Sequence, residues 1–253
     1  MAFTFANAIT YVETAIKKGL DPNVFGSRIS FFFNAHNGFL EEIAKFRAAR
    51  EIWATIMKTR FKVTNEKALK CRFHVQTGGS TLTAQQPQNN IVRTTIQALS
   101  AVLGGAQSIH TNSYDEALGL PTEEAAKIAL RTQQLIANET NLVKFVDPLF
   151  GSDLIETLTE NYILKVNEIL EEIDQIGGAV KAIEDGYMQK NISQSAYEHQ
   201  KSIDNNSTLI VGLNCHEEED VEIDLQQINA QSINDQIKKL KKIKKNRDIA
   251  SAT

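Results

Sequence analysis

Three short stretches of this 253-residue chain set polar side chains at alternate positions in apolar surroundings: RISFFFNA (28–35), CRFHVQT (71–77) and AQSIHTN (106–112). Read with the period of an extended strand, Arg28 and Ser30 share a face opposite Ile29, Phe31 and Phe33. Arg72, His74 and Gln76 oppose Cys71, Phe73 and Val75, and Ser108, His110 and Asn112 form a third polar column. Such groups donate and accept hydrogen bonds along a line. Arginine adds a permanent charge on a forked donor set that suits carboxylate or phosphate. The chemistry this implies is the holding of an elongated polar ligand.

The residues that follow each stretch point the same way. They are Asn34-Ala35-His36-Asn37-Gly38, Gln76-Thr77-Gly78-Gly79-Ser80 and Asn112-Ser113-Tyr114-Asp115-Glu116. In parallel α/β folds, binding and catalytic groups gather in the loops after the carboxyl ends of strands. The Gly78-Gly79 pair permits close approach of backbone to a ligand, although such a pair also simply turns a chain. His36, His74 and His110 stand on separate units with no Cys or carboxylate at ligand spacing, and Cys215-His216 offers only two adjacent donors. No metal site is expected. The chain contains no phosphate-binding P-loop, dinucleotide fingerprint, serine-nucleophile elbow or H-E-x-x-H motif.

The elements that must position these groups alternate. Strands are expected at Arg28–Ala35, Cys71–Thr77, Ala106–Asn112 and Val143–Val146, with helices at Phe39–Phe61, Asn90–Leu103 and Pro121–Asn138 between them. This order means parallel pairing through right-handed crossovers, giving either an open four-stranded sheet or half of a barrel. A full eight-unit barrel at this pitch needs roughly twice the length available before residue 150. The polar faces fit two readings: an open sheet with one solvated face, or a barrel hollow enough to admit a polar ligand. From Gly151 onward the pattern turns helical, at Ser152–Ile176, Ile192–Asp204 and Asn229–Arg247. A strand is expected at Ser207–Leu213 before an acidic loop at Glu217–Asp220. The chain thus divides into an α/β part (1–150) of four β/α units and a mainly helical extension packed on it (151–253).

Composition narrows the function classes. A formal net charge of −4 gives no global attraction to nucleic acid or anionic membrane. The KKLKKIKK run carries Leu240 and Ile243 within it and reads as a solvated amphipathic helix. The two cysteines, Cys71 and Cys215, lie far apart, which fits a reducing compartment and a cytoplasmic location. The opening residues have no basic leader and are interrupted by Asn7, Thr10 and Glu13, so neither signal peptide nor membrane span is expected there.

Several longer runs resemble the methylmalonyl-CoA mutase family. They are FFFNAHNGFLEEIAKFRAAR (31–50), the block from His74 to Gln133 that includes HTNSYDEALGLPTEEAAKIALRTQ, VDPLFGS (146–152), EEIDQIGGAVKAIEDGY (171–187) and QIKKLKKIKKNRD (236–248). The resemblance runs along essentially the whole chain. It implies an adenosylcobalamin-dependent radical rearrangement of an acyl-CoA carbon skeleton, on a (β/α)8 barrel of TIM type whose polar bore is threaded by the pantetheine arm.

Matched position by position, the resemblance gives Arg28 and Ser30 a contact with CoA. It gives Gln76, Gly79, Glu116 and Gly119 a place against the upper face of the cobalamin, Gly119 standing where some members have Ala. It implies no catalytic residue here, because the match covers the second half of the barrel and the extension after it. The family's substrate-gripping Tyr and Arg and its catalytic His belong to the first half, and no histidine here lies in the cobalt-ligating D-x-H-x-x-G motif. The expected partners are therefore an acyl-CoA, a complementary N-terminal half-barrel chain and a cobalamin-binding subunit, and the chain alone is expected to be inactive. A non-catalytic CoA-binding or assembly module and a decayed fragment are the alternatives.

Overall fold

The structure is a computed structural model and describes residues 1–219, 225–226 and 229–248. Helix α1 (Ala2–Lys17) is followed by a one-turn helix α2 (Pro22–Phe25) that Asp21 caps by accepting from the Asn23 amide. Then come strand β1 (Phe31–Ala35), helix α3 (Phe39–Thr59), the one-turn α4 (Glu66–Leu69), β2 (Phe73–Thr77), α5 (Asn89–Leu103), β3 (Ser108–His110) and α6 (Glu123–Glu139). Four helices complete the described chain: α7 (Asp153–Ile176), α8 (Ala179–Glu184), α9 (Tyr187–Asp204) and α10 (Ala230–Lys245).

The sheet is parallel, in the order β1-β2-β3, with Phe31 opposite Phe73 and His74 opposite Ser108. One face is apolar because alternate residues are large hydrophobes. Phe31, Phe33, Phe73 and Val75 pack there against α1 and α3. Phe31 meets Trp53 edge-on with ring centroids 4.8 Å apart, and Phe46 stacks on Phe73 at 5.3 Å. Burial of this aromatic cluster stabilises the fold, at roughly 25 cal/mol per Å² of apolar surface removed from water. Val166, Leu170 and Ile173 of α7 and Ala179 and Ala182 of α8 join the same core, so α7 and α8 pack on the helices that flank the sheet. Helix α10 contributes no buried residue.

Several expectations change. The first strand starts at Phe31, not at Arg28: Arg28 ends a 3-10 turn (Gly26–Arg28), because Pro22 and the Asp21 cap start a helical run that carries through it. The third strand shortens to Ser108–His110. No strand forms at Val143–Val146. Leu142–Lys144 is a 3-10 turn entered through Asn141 in the left-handed region, and Val146 is 98% exposed. Three strands rather than four are therefore present among the described residues. Ser207–Leu213 yields only an isolated bridge between Val211 and Cys215, since Gly212 at φ 83° turns the chain back on itself. The helix expected from Ile192 begins five residues earlier, at Tyr187. The expected acidic loop ends at Asp220, which lies outside the described residues.

Candidate binding face at the strand ends

The second face of the sheet is open. Register sets two rows across it: Phe32, His74 and Ser108, then Asn34, Gln76 and His110. His74 Nδ1 lies 2.8 Å from Ser108 Oγ, and the Phe32 ring, 59% exposed, tilts over the His74 ring with centroids 5.0 Å apart. Ser108 and His110 are exposed, while His74 and Gln76 are half-buried. The strand alternation therefore delivers the polar columns to a single accessible surface, with one aromatic among them.

Two members of the expected columns are elsewhere. Arg72 turns back to the backbone, where its Nη2 donates to the carbonyls of Ser27 and Ile29, the latter at 3.0 Å. It thereby fixes the chain on both sides of Arg28. Asn112 lies past the end of β3 and is buried. Its amide N–H donates to Thr77 Oγ1 at 2.9 Å, its Nδ2 to the Thr77 carbonyl at 3.1 Å, and its Oδ1 accepts from Gln76 Nε2 at 2.9 Å.

Around Asn112 the residues expected to face cobalamin come together. Gln76 is bonded to it. A Cβ on Gly79 would lie 3.0 Å from Asn112 Nδ2 and 3.8 Å from Glu116 Oε1, so Gln76, Gly79, Asn112 and Glu116 form one cluster at the carboxyl ends of β2 and β3. Glu116 is exposed. Its loop is pinned through Asp115, which is fully buried: Oδ2 accepts from the Thr122 N–H at 2.9 Å and from Thr122 Oγ1 at 3.2 Å, while Thr122 caps α6. Gly119 N–H donates to the Asp115 carbonyl at 3.1 Å, and a side chain at Gly119 would meet nothing within 4 Å. Gly119 thus stands on the outer side of the same loop. Arg28 and Ser30, both exposed, are not in this cluster. They precede β1, at the amino end of the sheet, whereas the cluster lies at the carboxyl ends of β2 and β3.

Side chains that sequence reasoning did not single out hold these loops. Gln97 of α5 is fully buried; its Oε1 accepts from the Gly78 N–H at 2.8 Å, and its Nε2 donates to Asn37 Oδ1 at 2.6 Å and to Thr81 Oγ1 at 2.7 Å. Asn90 Nδ2 donates to the carbonyls of Thr83, at 2.8 Å, and Tyr114, at 2.9 Å. The loop after β1 is tied by Glu42, whose Oε2 accepts from the His36 N–H at 3.0 Å, and by Lys45, whose Nζ donates to the Asn34 carbonyl at 2.7 Å. Burial pulls the Lys45 pKa down, and the neighbouring Glu42 carboxylate opposes that shift. The sequence does carry a signal for α5. Its inward stripe is Asn90, Thr94, Gln97 and Ala101, whereas Val92 and Ile96 are exposed, a reversal of ordinary amphipathicity.

The methylmalonyl-CoA mutase family model matches residues 1–253. The large subunit of 2-hydroxyisobutanoyl-CoA mutase from Aquincola tertiaricarbonis is 47% identical over 98% of this chain and 45% of its own length. The mitochondrial methylmalonyl-CoA mutase of Homo sapiens is 43% identical over 100% of this chain and 34% of its own length. For the methylmalonyl-CoA mutase of Escherichia coli K12 the figures are 42%, 100% and 36%. The chain spans less than half the length of these relatives, and it belongs to the methylmalonyl-CoA mutase family.

Proposed function

We propose that this chain supplies part of the acyl-CoA- and cobalamin-facing wall of an adenosylcobalamin-dependent acyl-CoA mutase. The observation that carries the reading is the open polar face, whose rows Phe32–His74–Ser108 and Asn34–Gln76–His110 lead toward the Gln76–Gly79–Glu116 cluster. A long ligand with a charged end, repeated amide groups and a reactive acyl terminus matches that sequence of groups. Arg28 would hold the charged end, while His74, Gln76, Ser108 and His110 would accept and donate along the arm.

The cluster also fits a cobalamin. The macrocycle is broad and flat, with amide side chains at its rim. It needs backbone it can approach closely and acceptors for those amides. Gly79 and Gly119 offer the first and the exposed Glu116 carboxylate the second. Two buried polar atoms flank Glu116 without a protein partner, Ser113 Oγ and Asp115 Oδ1. When bound, the cofactor supplies the radical chemistry of skeletal rearrangement. The residues of this chain bind, orient and screen.

Completion by a complementary half-barrel segment and a cobalamin-binding unit belongs to the same proposal. Among the described residues β1 and β3 are sheet edges, and a parallel edge left without a neighbour is an association hazard. Beside β3 lies a groove of about 280 Å³ lined by Val102, Ile109, Ile136 and Val143, and Val143, Phe145, Val146 and Phe150 are exposed nearby in sequence. Exposed apolar surface of this kind marks an interface.

The test is made on the assembled enzyme. Glu116→Ala and Gly79→Ala are each expected to raise the KM for adenosylcobalamin about tenfold, since one loses a charge-assisted acceptor and the other drives a methyl into Asn112, which is held by Thr77 and Gln76. The KM for the acyl-CoA is expected to stay within about twofold. Cofactor kinetics that neither variant moves would refute the placement of this cluster against cobalamin.

A further inference from the structure

We infer that Gln97 is a positioning residue for the Gly78–Gly79 turn, an inference that rests on the proposed placement of that turn against cobalamin. A glutamine side chain has one acceptor oxygen and one two-proton donor nitrogen. In Gln97 both donor protons and the oxygen are committed, to Asn37 Oδ1, Thr81 Oγ1 and the Gly78 N–H, in a site with no exposure to solvent. Thr81 Oγ1 also donates to the Gly78 carbonyl at 2.6 Å. Gly78 is therefore gripped at both its N–H and its carbonyl by a two-residue relay anchored on a rigid helix.

The grip acts where space is tightest. A Cβ at Gly78 would lie 3.1 Å from both the Ala35 carbonyl and Thr81 Cγ2, and one at Gly79 would lie 3.0 Å from Asn112 Nδ2. Gly78 is buried under the turn and Gly79 is half-buried at its surface. Gln97 thus sets the height of Gly79 from below while Asn112 limits it from the side. Because the other proton of Gln97 Nε2 goes to Asn37, the same carboxamide joins the loop after β1 to the loop after β2. A leucine here would leave the Gly78 N–H without its acceptor. That is the costly half of a broken buried hydrogen bond.

The experiment compares wild type, Gln97→Leu, Gln97→Glu and Thr81→Val in the assembled enzyme. Two readings are taken: hydrogen exchange of the peptide spanning residues 74–82 without cofactor, and the Kd for adenosylcobalamin by absorbance titration. Gln97→Leu is expected to speed exchange at Gly78 and weaken adenosylcobalamin about tenfold, with the KM for acyl-CoA within about twofold. Gln97→Glu keeps an acceptor for the Gly78 N–H but sets a second oxygen against Asn37 Oδ1 and Thr81 Oγ1, and is expected to fall between wild type and Gln97→Leu in both readings. Thr81→Val removes one arm of the relay, shifts both readings in the same direction by a smaller factor, and decides the matter if Gln97→Leu does not fold. Unchanged exchange, or faster exchange with an unchanged Kd, overturns the role of Gln97. Failure of the wild-type assembly to bind adenosylcobalamin overturns instead the reading on which it rests.

Discussion

At the scale of single residues, the chemistry is set by where polar atoms are committed. Arg72, Asn90 and Asn112 donate to backbone carbonyls and Gln97 donates to the Asn37 and Thr81 side chains, so these four serve as framework. Glu116, Ser108, His110 and Arg28 remain exposed and so can meet a ligand. The cysteines divide in the same way. Burial pushes the Cys71 thiol up from its ordinary 9.0 to about 12, against a smaller downward pull from the Arg50 guanidinium. A raised pKa means that the folded state favours the neutral thiol. Its contribution to stability is fully present below pH 9 and is lost as pH climbs toward 12. Thiolate is the reactive form. Iodoacetamide at pH 8 should therefore alkylate the half-buried Cys215 and spare Cys71 until the chain is denatured, as mass spectrometry of the modified peptides would read out. Equal modification of both in the native protein would contradict the burial described.

At the scale of elements, α5 is the piece on which the site depends. It faces the strand ends with Asn90 and Gln97 and joins the core where Gly104, at its end, lies against Phe46. A methyl at Gly104 would come within 2.6 Å of Phe46 Cδ2 and 3.0 Å of the Ser100 carbonyl. Alanine is favoured over glycine in helices by at most about 1 kcal/mol, and overpacking a fixed core costs about 1–3 kcal/mol. Phe46 is fully buried between Phe33 and Phe73, so the packing term wins. Gly104→Ala should lower stability by about 1–2 kcal/mol in urea unfolding; a neutral or stabilising result would mean that Phe46 can move.

The elements also show what could be read from the sequence. Period-two alternation located β1, β2 and β3, and the apolar half of each went to the core as the pattern requires. The polar half reached one open face, apart from Arg72 and Asn112. Their side chains find nearer partners in the backbone, which no pattern of types records. VKFV at 143–146 has the composition of a strand, yet it leaves the β3 edge unpaired among the described residues. Asn141 in the left-handed region instead starts a 3-10 turn. The inward polar stripe of α5 was legible only as a conflict, since Val92 and Ile96 point outward while Asn90, Thr94 and Gln97 are buried.

At the scale of the molecule, the sheet is a wall packed on one side and open on the other. The core is continuous from α1 through the sheet to α8, so the chain has its own means of folding. The sheet ends in two edges among the described residues, however, and its polar face is open to solvent along its length. A polar ligand gains most from such a face when the opposite side is also closed, because water exclusion strengthens every hydrogen bond within. On the proposed reading, acyl-CoA isomerisation is the work of an assembly in which this chain is joined by a complementary half barrel and a cobalamin-binding unit.

The measurement that tests this most directly follows conversion of an acyl-CoA to its isomer by chromatography, for the chain alone and for the chain combined with those two components, each with and without adenosylcobalamin. Turnover is expected only in the complete combination with cofactor, with a loss of at least about tenfold when Glu116→Ala replaces the wild-type chain. Turnover by the chain alone, or turnover in the complete assembly that does not depend on adenosylcobalamin, would contradict the proposed reading.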